Sequence, residues 1–206
     1  TRKIVEKIGD NREKIEGIKN YISKNINSIP VNDIITREIR KPAETLKKGY
    51  ASPYDRVALF VSMARAAGFE AYPVISGIDG NYMKYEKNYF DVATFNYPFA
   101  AVKIGNETVY VESVSEFYKI GEIPANNEYV IAVKKGKFEF EMIDPKGEKR
   151  AGVTEIYTIN IDENGDAEIE KLSVYYGQRA SQIRAKYRYM TPYQRKQDYD
   201  SILNSI

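Results

Sequence analysis

Any chemistry performed by this chain's own side chains has to come from serine, lysine, tyrosine or carboxylates, because the sequence contains neither cysteine nor histidine. Imidazole, with an unperturbed pKa of about 6.5, is the usual general base, and thiolate is the usual strong nucleophile. Three arrangements could substitute for them. Ser52 lies just after Lys47 and Lys48, the pairing a serine–lysine hydrolase would need. Glu112 or Glu116 with Asp91 could form the acid and base of a glycosidase, which requires two carboxyl groups roughly 5 to 10 Å apart. The run Asp162, Glu163, Asn164, Gly165, Asp166 opens like a calcium loop, but Ala167 stands where glycine is required and Ser173 where a bidentate glutamate is required. Each has a simpler structural reading. Ser52 and Asp55 read as a helix cap, scattered acids read as solvated surface, and Asn164-Gly165 reads as a hairpin turn. No metal or cofactor is expected.

Tyrosine is the one skewed count, at 18. Tyr82, Tyr85, Tyr89, Tyr97 and Tyr110 could offer stacking faces to a sugar or rigid contact area to a protein, or could simply pack a half-buried sheet. Between Gln178 and Gln197 six basic residues, among them Arg184 and Lys186, interleave with Tyr187, Tyr189 and Tyr193 and no acid intervenes. Such interleaving suits single-stranded nucleic acid, but a solvated helix face or docking against a missing domain takes precedence, so no nucleic-acid partner is expected. The near balance of 31 basic and 29 acidic residues gives no field to steer polyanions, so any binding patch is local.

The elements that would position these residues can be read from spacing. Asp10 or Asn11 caps a surface helix carrying Ile15, Ile18, Ile22 and Ile26, with Lys and Glu on the other face. Pro42 opens a short helix that Gly49 ends. Ser52-Pro53-Tyr54-Asp55 starts a helix that Gly68 stops, and its residues Val57 to Ala67 are apolar nearly all round, as a helix buried at the centre of a domain requires. Strands are expected at Ala71 to Ser76, Phe99 to Ile104, Thr108 to Val111, Tyr129 to Val133 and Phe138 to Ile143. Val153 to Ile161 and Ala167 to Tyr175 form a long hairpin, and helix resumes at Gln178 with a fresh cap at Thr191-Pro192. The expected fold is α+β, a central buried helix on an antiparallel sheet, with a domain over residues 1–150 and a hairpin-plus-helix appendage over 151–206 bounded by the Asp144 to Gly147 turn. No apolar run approaches the roughly 20 residues of a membrane span, so a soluble polypeptide is expected, a fragment or mature form of something longer.

Thr45-Leu46-Lys47-Lys48-Gly49, then Asp55-Arg56-Val57-Ala58-Leu59-Phe60, then Arg65-Ala66-Ala67-Gly68-Phe69-Glu70-Ala71 resemble the nucleophile helix of the transglutaminase-like superfamily, whose cysteine begins a helix ending in an Arg-Ala-x-Gly-x-x-Ala turn. Phe95-Asn96-Tyr97 resembles the strand bearing the catalytic histidine, and Val111-Glu112-Ser113 the strand bearing the aspartate. Gly121-Glu122-Ile123-Pro124 resembles a segment of bacterial members of the secreted or periplasmic kind. The likeness covers roughly residues 11 to 143 and implies a papain-like, transglutaminase-like core.

In working members a thiol at a helix N-terminus pairs with a His and an Asp. Here Pro53 falls at the cysteine position, with Ser52 its hydroxyl neighbour, Tyr97 at the histidine position and Glu112 at the aspartate position. The resemblance therefore implies a degenerate, non-catalytic domain that binds a protein or glycan through a cleft near the five tyrosines, or serves as scaffold beside neighbouring domains of a longer periplasmic or secreted protein. The alternative is a hydrolase using Ser52 or the Asp91 and Glu112 carboxylates. Pro53, Tyr97 and Glu112 are expected close together in one cleft, with the Tyr97 and Glu112 side chains within roughly 12 Å, since neighbouring strands lie under about 5 Å apart.

Overall fold

In the computed structural model the structure describes residues 1–29, 38–76, 95, 97–124, 129–143 and 151–203. After a first short helix, α1 (Arg2–Val5), comes α2 (Asn11–Asn25), where the Asp10 carboxylate accepts from the Glu13 amide at 2.9 Å. Its isoleucine stripe is fully buried. The helix is not the plain surface helix expected: Lys19, four residues on from Ile15, sits inside that stripe and is 1% exposed. Pro42 then opens α3 (Pro42–Lys48), and Gly49 ends it at φ 70°, a left-handed conformation natural to glycine. The chain is thereby turned into β2 (Tyr50–Ala51), which pairs in parallel with β1 (Asn27–Ser28). This two-residue pairing fixes where the next helix begins.

That helix, α4 (Pro53–Ala66), opens with a capping box: Ser52 accepts from the Asp55 amide and Asp55 from the Ser52 amide. It closes on a Schellman turn, with Phe69 N–H bonded to Ala64 C=O, Gly68 N–H to Arg65 C=O, and Gly68 at φ 93°. Between these ends Val57, Leu59, Phe60, Val61, Met63 and Ala64 are buried, as the all-round apolar pattern requires.

α4 packs on a five-stranded antiparallel sheet of order β5 (Glu107–Val111), β4 (Tyr97–Ile104), β3 (Ala71–Ser76), β6 (Tyr129–Lys134), β7 (Lys137–Met142). Strand alternation divides the core in two. Ala71, Ala100, Val102 and Val111 face α2 and α4, and their small size lets the helix approach closely. Tyr72, Val74, Phe99, Ala101 and Tyr110 form a second cluster on the opposite face.

β8 (Ala151–Ile161) and β9 (Ala167–Tyr176) make a separate two-stranded ribbon. Its turn is closed by Asp162, whose carboxylate accepts from the amides of Asn164 and Asp166 at 2.9 Å, so those acids build a hairpin tip. Apolar side chains are exposed on both faces: the Ile156–Leu172 pair on one, the Ile159–Ile169 pair on the other. α5 (Gly177–Arg188) and α6 (Pro192–Leu203) follow.

Five of the six basic residues in the run are exposed, as on a solvated face, but Arg184 and Lys186 are tied to acids of this same chain. Arg184 grips Glu122 of the core through both guanidinium nitrogens at 2.6 and 2.7 Å, and Lys186 pairs with Asp198 at 2.6 Å. For these two residues the acid missing from the run itself comes from elsewhere in the chain.

Candidate functional site

Glu112 is the first residue beyond β5 and Tyr97 the first of β4. Ala100 faces Val111 across the two strands, so one step further Glu112 stands beside Phe99, and Tyr97 lies two residues along on the same face. This diagonal lets the Tyr97 hydroxyl donate to Glu112 Oε1 at 3.0 Å. The Val114 amide donates to the same oxygen at 2.9 Å and the Ser115 amide to Oε2 at 2.7 Å. Glu112 is fully buried, and its carboxylate holds the chain's turn out of the sheet.

Two buried cations approach from the helices. Lys19 of α2 donates to the Ser115 carbonyl at 3.1 Å. Arg56 of α4 donates through Nε to the Ser113 carbonyl at 3.1 Å and through Nη1 to the Ile26 carbonyl at 2.7 Å, joining the end of α2, the first turns of α4 and the exit of β5. Arg56 lies three residues on from Pro53, hence on the same helix face one turn further in.

Burial governs the electrostatics. It pushes the Glu112 carboxyl above its ordinary value, against the two amides, Tyr97 and Lys19. It pushes Lys19 and Arg56 down, with Glu112 the leading opposing charge on each. Tyr97 is pushed up by burial and then by Glu112, so its phenol stays protonated and serves as a donor. A phenol in that state cannot take a proton from a nucleophile.

At the helix end, Pro53 brings no nucleophile, and Ser52 is 4% exposed with its oxygen accepting from the Asp55 amide at 3.1 Å. The Asp55 carboxylate also receives the Arg40 amide at 2.8 Å and faces the Arg40 guanidinium at 3.8 Å. Although burial opposes it, these partners hold Asp55 below the usual carboxylate range. Ser52→Ala is expected to lower unfolding free energy by about 1 kcal/mol, the usual loss of a cap, measured by urea denaturation.

Of the glycosidase candidates, Glu112 is enclosed, Glu116 is exposed and accepts from the Tyr189 hydroxyl at 3.3 Å, and Asp91 lies outside the described residues. Tyr82, Tyr85 and Tyr89 also lie outside them. Tyr110 is buried in the second core cluster, an edge-on neighbour of Phe99 at 5.8 Å, so it packs the sheet. Among the described residues no group of acids gathers as a metal site. Sequence reasoning missed Lys19 and Arg56. Their signal was a charged residue inside an apolar stripe, Lys19 at the fourth place after Ile15 and Arg56 within the all-apolar helix.

Among the described residues no helix is long and apolar enough to cross a membrane. In comparisons with known proteins, no curated protein matches the chain. A solved structure from Parabacteroides distasonis, described as a candidate protease, superposes with a TM-score of 0.54 at 15% identity, covering 78% of this chain and 32% of that one. At that identity the likeness shows the fold alone, and the chain spans about a third of that protein's length. The profile of the Transglutaminase-like superfamily matches residues 1–126, more than half of the sequence, and together with the helix-on-sheet core this makes the chain a member of that superfamily.

Proposed function

We propose that this is a non-catalytic transglutaminase-like domain that works by binding a protein or glycan, or as a scaffold, within a larger periplasmic or secreted protein. The observation that carries the reading is the Tyr97–Glu112 pair. At the two positions where the superfamily's resemblance would put a base and its orienting acid, a protonated phenol donates to a carboxylate that is already filled by two backbone amides. Pro53 supplies no attacking group, and Ser52 spends its oxygen on the helix cap. The scaffold role draws support from the β8–β9 ribbon, whose apolar side chains face outward on both sides as those of a sheet awaiting cover do. Residues 1–150 and 151–206 are proposed as core and appendage, joined by the Arg184–Glu122 contact.

The purified chain is expected to show no amine incorporation, no peptide cleavage and no glycoside cleavage, and a fluorophosphonate probe is expected to leave Ser52 unlabelled. Labelling at Ser52, or turnover removed by Glu112→Gln, would establish the hydrolase alternative instead.

A further inference from the structure

At the other end of the sheet from Tyr97 and Glu112 lies an open groove of about 980 Å³ that no step above uses. Lys103 stands six residues from Tyr97 along β4, which separates the two places by about 20 Å. Five cationic side chains line the groove: Arg65 from the end of α4, Lys103, and Lys134, Lys135 and Lys137 around the β6–β7 turn. Two carboxylates, Glu70 and Glu139, line it with them, and a third, Glu141, pairs with Lys134 and accepts from the Tyr72 hydroxyl. Counting all three acids, the excess of cations here equals the net charge of the whole chain.

The turn itself carries a second sign. Lys135 has φ 48° and Gly136 φ 78°, and Lys135 is the one non-glycine residue with positive φ among those described. Such a turn is normally built from Asn-Gly or Gly-Gly, which adopt this conformation with little strain. A lysine there is held at a conformational cost, and what it contributes is an ammonium beside the groove. Neither Lys135 nor Lys137 has an acidic partner among the described residues, whereas Lys103 lies 3.4 Å from Glu70 and Lys134 is held by Glu141 and lies 3.3 Å from Glu139.

We propose that this groove binds an acidic, hydroxyl-rich glycan, a polysaccharide containing uronic acids. Lys135 and Lys137 meet sugar carboxylates, and the Glu70 and Glu139 carboxylates accept from sugar hydroxyls. An ionised acidic side chain has no donor to offer those two carboxylates, whereas a sugar hydroxyl has, which favours the glycan over an acidic peptide. The Tyr72 ring in the groove wall has Lys134 over its face at 4.6 Å, fixing that ammonium in place. The inference deepens the glycan-binding reading above and rests on it. It does not depend on the absence of turnover, which is measured separately.

The test is calorimetric titration of the whole chain with polygalacturonate, using neutral dextran and poly-glutamate as controls. Binding to polygalacturonate is expected at low salt, weakening as salt screens the lysines, with no heat from dextran. The double variant Lys135→Gly and Lys137→Gln is expected to bind at least tenfold more weakly while melting no lower than the parent, since glycine relaxes the turn. No binding of polygalacturonate at low salt, or equal binding by the double variant, would overturn the proposal. Poly-glutamate binding as tightly as polygalacturonate would overturn it too, assigning the groove to an acidic peptide.

Discussion

Glu112→Ala is expected to lower the unfolding free energy by about 3 to 5 kcal/mol, the usual result of removing one partner from a buried charge cluster. The residue is completely enclosed, so nothing from solvent replaces what its carboxylate does. Its loss strands the amides of Val114 and Ser115 and the Tyr97 hydroxyl, and takes from Lys19 and Arg56 the opposing charge that acts on them most strongly. Urea denaturation measures the change, and a loss under about 1 kcal/mol would show that the cluster carries no such weight.

Glu112→Gln separates charge from shape. Burial raises the Glu112 pKa in the folded chain above the ordinary 4.5, so the folded state holds this proton more tightly than the unfolded one. The stability this contributes is therefore fully present below pH 4.5 and is lost as pH rises through the raised value. The glutamine variant, which cannot ionise, is expected to lose that decline, so its stability relative to the parent improves as pH rises from 4.5. A difference that stays flat with pH would contradict the direction of the shift.

Phe60→Ala is expected to cost about 3 to 5 kcal/mol, because it opens a cavity in the middle of α4 that its neighbours cannot close. Phe60 is 0% exposed and packs among Ile18, Ile22, Leu59 and the small residues of β4. Ile159→Ala removes a comparably apolar side chain from β8, yet it is expected to change stability by only about 0.5 kcal/mol, since Ile159 is 56% exposed. Thermal and chemical denaturation of the two variants side by side check the contrast. Comparable losses at both positions would mean that the ribbon is covered in solution.

The sequence by itself determined most of the local structure. Proline at the first turn and glycine at the end bounded α3 and α4, and Ser52 with Asp55 wrote the capping box. Alternation located β3 to β9 to within one or two residues, because turn chemistry and side-chain period are properties of neighbouring residues, but it gave no sign of the two-residue strands β1 and β2. The motif also singled out Pro53, Tyr97 and Glu112 as the places where a triad would be expected, and two of them, Tyr97 and Glu112, meet in the structure.

What they do was decided only by tertiary structure. The Tyr97–Glu112 bond depends on the register of β4 against β5, and Lys19 and Arg56 reach the same place from two different helices, over separations of about ninety and sixty residues. Spacing along the chain carries no record of such contacts. Likewise Arg184 has no acid near it in sequence and finds Glu122 only when α5 docks. The cationic groove is gathered from the end of α4, β4 and the β6–β7 turn, three places that the chain order keeps apart and the fold brings together.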